Sequence, residues 1–420
     1  MSLLSRRRRA ILATTICSIC LLLAAGAVAE DAVPEPELVR RFLQSMPIEA
    51  ELRALELRKV AAIAPAGLPN PELEYRHEEA RGPEGARTDA IGASFTIDLG
   101  FVAIAESQAA RLRGEAVGSQ SRQDLVGAVC SLRRDLTALW EAQRRVQVVE
   151  VGHGRLHELT SFFEAMAAVG EVSTYDLNRA ALADTAHRIE MAAAAGDVAA
   201  LQASVASRTG EPIVQVQLVD GAEPHSLEEL LDRARTEHPE LVALRLQQAA
   251  ATRDEAAARR EAAPSIRLSG AARFDSLSDG SERSPGFEFG ATLELPLFDQ
   301  NLRQARSSAA DTQVWVARVA RRERQILASI EAAWWRGAIV RDLAEAVVDT
   351  EALWTAARSR YMGGEGSVNE LLQTARDLEE AQLATLAAEV LLRSADLGLQ
   401  CAVGRFDDPG IQAALEEALQ

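Results

Sequence analysis

The sequence predicts a mostly α-helical protein with a small β part. Its plan is a duplicated strand–strand–long-helix–helix unit that supplies four strands per chain. Three observations predict it. First, residues 287–297 alternate, with Phe287, Phe289, Ala291, Leu293, Leu295 and Leu297 on one face and Glu288, Thr292 and Glu294 on the other. At Phe298-Asp299-Gln300 the period changes from two to roughly 3.6. Second, a proline-free helical pattern runs from about Asn301 to Tyr361 and stops at Gly363-Gly364-Glu365-Gly366. Such a helix is about 90 Å long, far beyond an ordinary domain helix. Third, the unit occurs twice. Gly92-Ala93-Ser94-Phe95-Thr96-Ile97-Asp98-Leu99 aligns without gaps with Gly290 to Leu297, and Gly170 to Leu177 with Gly364 to Leu371. Met46-Pro47 and Pro71-Glu72-Leu73 align in the same way with His238-Pro239 and Pro264-Ser265-Ile266. A repeat this long means two structural halves.

In chain order, residues 1–29 read as a signal peptide. Arg6 to Arg9 form the basic region, Ile11 to Ala25 the apolar region, and Ala27-Val28-Ala29 the cleavage site. Cys17 and Cys20 follow Ile16 and Ile19, where a lipidation site needs a small residue, so a non-lipidated product is expected. The first repeat, residues 30–210, starts with a short leader to about 35 and a helical pattern over 36–64, ending at Ala64-Pro65-Ala66-Gly67. Strand 72–79 puts Leu73, Tyr75 and His77 opposite Glu72, Glu74, Arg76 and Glu78. Strand 88–99 puts Ile91, Ala93, Phe95, Ile97 and Leu99 opposite Gly92, Ser94, Thr96 and Asp98.

A long helix follows over 102–168, with Val126, Val129, Leu132, Leu136, Leu139, Leu156, Leu159 and Phe163 at spacings mostly of three and four. A tip at 169–174 leads to a helix over 175–207. Residues 211–225 join the halves and carry a short strand within Glu211 to Leu218. The second repeat, 226–404, has strands 265–274 and 287–297, the helix 301–361, a tip at 362–368 and a helix over 369–402. Residues 405–420 form a weakly specified tail.

Four strands with one apolar and one polar face do not form a buried parallel sheet. Their apolar faces either cover a core or face lipid around a polar lumen, and twelve strands from three chains would close a barrel. Apart from the leader, no segment approaches the 20 apolar residues of a spanning helix. Removing Arg6 to Arg9 takes the formal charge from −17 to −21, and Lys59 is the only lysine. Such an acidic chain is a poor nucleic-acid ligand, and no nucleic-acid partner is expected.

With these features in place, the sequence resembles the TolC family of outer-membrane efflux proteins over about residues 36–404. Pro69-Asn70-Pro71-Glu72-Leu73, followed by Gly92 to Gly100, is similar to its heavy-metal (cobalt–zinc–cadmium type) branch. Arg360-Tyr361, Gly364 and Glu370-Leu371-Leu372 resemble the family's second tip motif. One departure is Phe101-Val102-Ala103, where that branch has a glycine- and lysine-rich turn.

The resemblance implies a homotrimer. It would form a twelve-stranded outer-membrane barrel in lipid on a periplasmic tunnel of helices. Its partners would be a periplasmic adaptor (membrane fusion protein) and an inner-membrane RND-type pump. The function implied is passive export, of heavy-metal cations on the branch match, with drug efflux or type I protein secretion as the alternative. The resemblance also implies a periplasmic gate: Tyr361 at the gate tyrosine, Asp176 at its acidic partner, and Glu370 at a ring carboxylate. Gln373 replaces a second ring acid and Gly366 a gate arginine. A plainer reading makes Asp176 and Glu370 helix-start carboxylates favoured by the dipole.

Other polar groups read as structural. His153 and His157 lie at i, i+4, but Gly154 intervenes and no zincin glutamate sits between them, so a packed or solvated pair is expected. Trp140 and Trp334-Trp335 fill gaps between helices, and Arg318, Arg321, Arg322 and Arg324 make a solvated face. Cys130 and Cys401 lie at similar heights above the tips, about 55–60 Å. They read as buried free thiols, with a disulfide in an oxidising compartment as the other option. No nucleophile elbow, phosphate loop, dinucleotide fingerprint or metal cluster stands out, so no catalytic, cofactor or metal site is assigned. The competing class is a soluble periplasmic coiled-coil scaffold whose strands pack on its own helices.

Overall fold

The computed structural model describes residues 32–63, 70–79, 86–219, 226–277, 283–298, 300–343 and 350–419. The signal peptide expected over residues 1–29 lies outside them. The first half runs β1 (Val33–Pro34), α1 (Glu35–Leu43), α2 (Met46–Ile63), β2 (Glu72–Glu79), β3 (Ala86–Asp98), α3 (Val102–Ala168), α4 (Thr174–Thr209) and β4 (Val216–Gln217). The second runs α5 (Leu227–Glu237), α6 (Pro239–Arg260), β5 (Ser265–Leu277), β6 (Arg283–Glu294), α7 (Leu302–Leu343), α8 (Thr350–Met362), α9 (Val368–Val403) and α10 (Pro409–Ala418). The helix expected to run unbroken over 301–361 is described as α7 and α8, with residues 344–349 outside the description.

Each half makes an antiparallel hairpin, and the hairpins join through β3 and β5 in the order β2-β3-β5-β6. Strand side chains alternate, so the register sets which residues share a face. Tyr75 stands opposite Ile91, Ile91 opposite Ala272, and Ala272 opposite Phe287. One residue along, Glu74, Gly92, Ala271 and Glu288 make the polar row. Small residues let that row pack closely: a Cβ on Gly92 would lie 2.9 Å from the Ala271 Cβ. The apolar face is left in the open, with Leu73, Phe287 and Phe289 each at least 80% exposed.

At the end of β3 the chain turns into α3 through Gly100. A Cβ there would approach the Arg260 carbonyl to 2.3 Å, so only glycine fits. The next residue, Phe101, takes a left-handed conformation (φ 52°), as does Asn301 in the second half (φ 53°). Asparagine tolerates that region and phenylalanine does not, so Phe101 is a strained spot at about 1 kcal/mol.

The helix expected over 36–64 is broken at a proline, and the second half shows the same break. The pattern over 36–64 is two helices that part at Gln44-Ser45, just before Met46-Pro47. Its repeat partner breaks at His238, just before Pro239. Proline lacks the N–H and crowds the carbonyl four residues back, but it suits the first turn of a new helix. Among the described residues no helix is long and apolar enough to cross a membrane.

The largest core lies midway along the helices. Leu125, Val126, Val129, Leu132, Leu136 and Leu139 of α3 pack there against Leu38, Val39 and Phe42 of α1. At its centre the buried Glu35 accepts from Arg133 Nε (2.6 Å) through one oxygen and from the Val219 N–H (2.9 Å) through the other. Arg133 also donates to Gln400 Oε1 (2.7 Å) and stacks over Phe406.

Three sequence expectations change here. The leader is ordered from Val33, which pairs in parallel with Val216, so the expected strand of 211–218 shrinks to two residues. The tail forms α10, capped by Asp408 and burying Ile411 and Leu415. Finally, Cys130 and Cys401 form a disulfide, with Cα atoms 6.0 Å apart, in place of the expected buried free thiols. Equal height became adjacency because α3 and α9 pack side by side at this level.

Two predictions follow from this core. Replacing both cysteines with alanine lowers the stability of the detergent-solubilised chain by about 2–5 kcal/mol, read as a lower denaturant midpoint. The second concerns His238, which is buried and caps α6 by accepting the Glu240 N–H on Nδ1 (3.3 Å). Burial pushes its pKa down, so the ring is neutral in the fold. The unfolded chain takes up this proton below about pH 6.5, so the stability present above that pH is lost as pH falls toward the lowered folded value. His238→Asn keeps a capping acceptor and flattens the loss between about pH 7 and 5 in thermal melts.

Candidate functional site

The two tips are built on the same plan. α3 ends with Gly170 left-handed (φ 79°), and the Glu171 N–H bonds back to Met166 O (3.0 Å). α8 ends with Gly364 left-handed (φ 74°), and the Glu365 N–H bonds back to Arg360 O (3.0 Å). Only a residue free of Cβ crowding takes this turn readily, which fixes glycine at both positions. Each chain then restarts on a serine cap. Ser173 Oγ accepts the Asp176 N–H (3.1 Å) and donates to Asp176 Oδ2 (2.6 Å). Ser367 Oγ accepts the Glu370 N–H (3.2 Å), and Glu370 Oε2 accepts the Ser367 N–H (3.0 Å), a complete capping box.

Asp176 and Glu370 therefore occupy equivalent cap positions. Each also sits at the positive end of a long helix, where a carboxylate is favoured. Tyr361 lies a turn inside the tip. Its ring meets Phe163 edge-on at 5.6 Å and Phe162 at 6.3 Å, and the three cover a core that includes Leu156, Leu159, Trp354, Leu371 and Leu372. Partial burial and the nearby Asp176 carboxylate both raise the Tyr361 pKa. Among the described residues no hydrogen bond links Tyr361 to Asp176 or Glu370 within one chain. Gln373 donates to Asp377 along its own helix (2.7 Å), and Gly366 packs over the Tyr361 backbone.

A second cluster lies above the tip, where α3, α4 and α9 meet. His187 Nε2 is 3.2 Å from Glu379 Oε2, and both side chains are about nine-tenths buried. Glu190 stands beside them, so that ligand atoms of His187, Glu190 and Glu379 lie within 4.8 Å of one another. Burial and the Glu190 charge push the Glu379 carboxyl up to about 7, and burial pushes the His187 ring down. His153, half-buried, faces Asp184 at 3.3 Å, while His157 stays exposed at 3.8 Å from the same oxygen.

The sequence put His153 and His157 together but gave no sign of His187 or Glu379. A lone histidine and a lone glutamate on two distant helices carry no spacing signal. The only local clue was Gly152 in mid-helix, which makes room for the Glu379 carboxylate.

The model of the outer membrane efflux protein family matches residues 230–405. No curated protein matches the chain in sequence. Among solved structures, the chain is similar to CusC, reported to form a transmembrane channel, at 18% identity and a TM-score of 0.72 over 89% of this chain and 92% of that one. It is similar to the outer membrane protein VceC of Vibrio cholerae at 18% identity and a TM-score of 0.70, over 89% and 97% of the two chains. For the outer membrane channel MtrE of Neisseria gonorrhoeae the figures are 16% and 0.69, over 90% and 89%. The match to the outer membrane efflux protein family spans the second repeat, and the likeness in fold to these outer-membrane channels spans both.

Proposed function

We propose that the chain is one subunit of a homotrimeric, passive outer-membrane conduit for heavy-metal cations. It works with a periplasmic adaptor and an inner-membrane RND-type pump. The observation that carries the reading is that both layers of the single chain are open arcs. The sheet ends in β2 and β6, each paired on one edge only. Its polar face carries Glu72, Arg267 and Glu294, joined by ion pairs of 3.4 Å, while among the described residues its apolar face is left exposed. Lipid outside and water inside satisfy both faces, and three copies give twelve strands.

The helical layer ends in the same way. On α4, Tyr175, Leu182 and Ile189 stand exposed at heptad spacing, and on α7 Trp335 and Ile339 are exposed. A second copy would cover such stripes by coiled-coil packing. Cross-links between cysteines placed on β2 and β6 should give a trimer in membranes. A detergent-free soluble monomer would instead favour a scaffold.

Tyr361, Asp176 and Glu370 are the proposed gate. Three copies would bring the tip carboxylates around one axis, a negative ring that attracts cations. Cargo choice rests on that acidity and on the branch motifs; drug or protein export uses the same kind of duct.

Two measurements test this. Deleting the protein should sensitise cells to zinc, cobalt or cadmium and not to a drug panel. Sensitivity to drugs alone keeps the conduit and removes the metal assignment. In planar bilayers, Tyr361→Phe combined with Asp176→Ala should raise single-channel conductance several-fold. Unchanged conductance rejects these residues as the latch.

A further inference from the structure

We propose that His187, Glu379 and Glu190 form a binding site for a divalent transition-metal cation of the zinc or cobalt type, set in the helical wall between α4 and α9. This inference does not rest on the transport reading, since such a site holds its ion whatever the duct exports.

Glu379 is the central group of the cluster. Its carboxylate is buried, and among the described residues no arginine or lysine comes within ion-pair distance of it. Its direct partner is His187 Nε2 at 3.2 Å. A buried carboxylate without a cation is costly, and one imidazole does not offset two acids. Glu190 adds the second acid, its side chain partly exposed and only loosely held by Arg145 at 3.9 Å. A divalent cation placed among one neutral imidazole and two carboxylates balances that charge.

The second observation is geometric and independent. Gly152 sits buried in the middle of the 67-residue α3, where glycine costs about 1 kcal/mol relative to alanine. A Cβ at Gly152 would lie 2.8 Å from Glu379 Oε2 and 3.1 Å from its carboxyl carbon. The helix gives up a side chain at the place where the carboxylate is seated. The third observation is unmet polarity. Buried atoms without a hydrogen-bond partner, among the described residues, are Gln123 Oε1, His153 Nδ1, Arg155 Nη1, Asp184 Oδ1 and His187 Nδ1. His187 is itself a proposed ligand, while His153 Nδ1 and Asp184 Oδ1 face each other at 3.3 Å beside it.

The ligand set fixes the class of ion. One nitrogen and two carboxylate oxygens suit zinc, cobalt or manganese, whereas copper(I) and silver(I) want thiolate or thioether, and no cysteine or methionine is in the group. Three protein ligands leave a position open to water, and the exposed flank of Glu190 gives the ion a way in.

The test uses the full chain, purified in detergent, freed of any affinity tag and stripped with a chelator. Cobalt(II) is titrated by its visible absorption and zinc by equilibrium dialysis. One ion per chain is expected. His187→Ala and Glu379→Gln should abolish binding, the latter with little effect on the fold because the glutamine is isosteric and uncharged. Gly152→Ala keeps every ligand and should weaken binding by about tenfold by displacing the Glu379 carboxylate. Absence of stoichiometric binding overturns the proposal. So does binding that survives both ligand variants, or that is lost on His153→Ala/His157→Ala instead. None of these readouts involves transport, so a failed site and a failed conduit assignment are told apart.

Discussion

A four-stranded sheet with two free edges and an uncovered apolar face is the constraint from which the rest of the molecule follows. Every N–H and C=O on the outer edges of β2 and β6 needs a partner, and an exposed edge invites pairing. Both edges carry charged side chains, and β6 also carries Pro285, yet the apolar rows run straight across the sheet in register. Closing the sheet on itself removes the edges, but four strands do not make a barrel with a lumen. Symmetric copies do. The same logic runs down the helices, because strand tilt and helix placement are joined at rigid turns. Gly100 fits against the Arg260 carbonyl with no room for a side chain.

An open arc of helices about 100 Å long needs a brace, and the midpoint provides it. Glu35, Arg133, Val219 and Gln400 come from four separated segments and meet in one buried network. A buried ion pair is a poor source of net stability, since desolvation offsets most of the attraction, but removing one partner leaves an unpaired charge. The network joins the segment at Glu35, the first long helix, the inter-repeat loop and the last helix of the repeat. The Cys130–Cys401 disulfide ties α3 to α9 in the same core and restricts the unfolded chain.

The sequence carried the fold because both periodicities are long and appear twice. Alternation of two residues over a dozen positions, then a heptad-like stripe over sixty, leaves few architectures, and the duplication excludes accidents. Short-range details were legible where backbone chemistry is strict. Gly170 and Gly364 end helices, while Ser173 and Ser367 begin them. Contacts between segments far apart in sequence were not legible. Glu35 looked like leader, and Cys401 looked like a free thiol. Asp408-Pro409 is an N-cap followed by a first-turn proline, and that signal could have revealed α10. His187 and Glu379 are 192 residues apart, and only their shared helix interface makes them neighbours.

At the tip, the structural role of a residue is compatible with the gate role proposed for it. Asp176 and Glu370 do serve as helix caps, and that alone explains their presence at these positions. Yet a cap uses one carboxylate oxygen. Glu370 engages Oε2 with the Ser367 N–H, and Asp176 engages Oδ2 with the Ser173 hydroxyl, which leaves Oε1 and Oδ1 for donors on a neighbouring chain. The cap also holds each side chain in a single rotamer, so an inter-chain bond would form without ordering a flexible acid first. Tyr361, pinned between Phe162 and Phe163, presents its hydroxyl with the same economy of motion. The proposed latch, built from groups already fixed by their own helices, would lose little on opening, because the caps and the aromatic packing would stay in place as bonds between chains part.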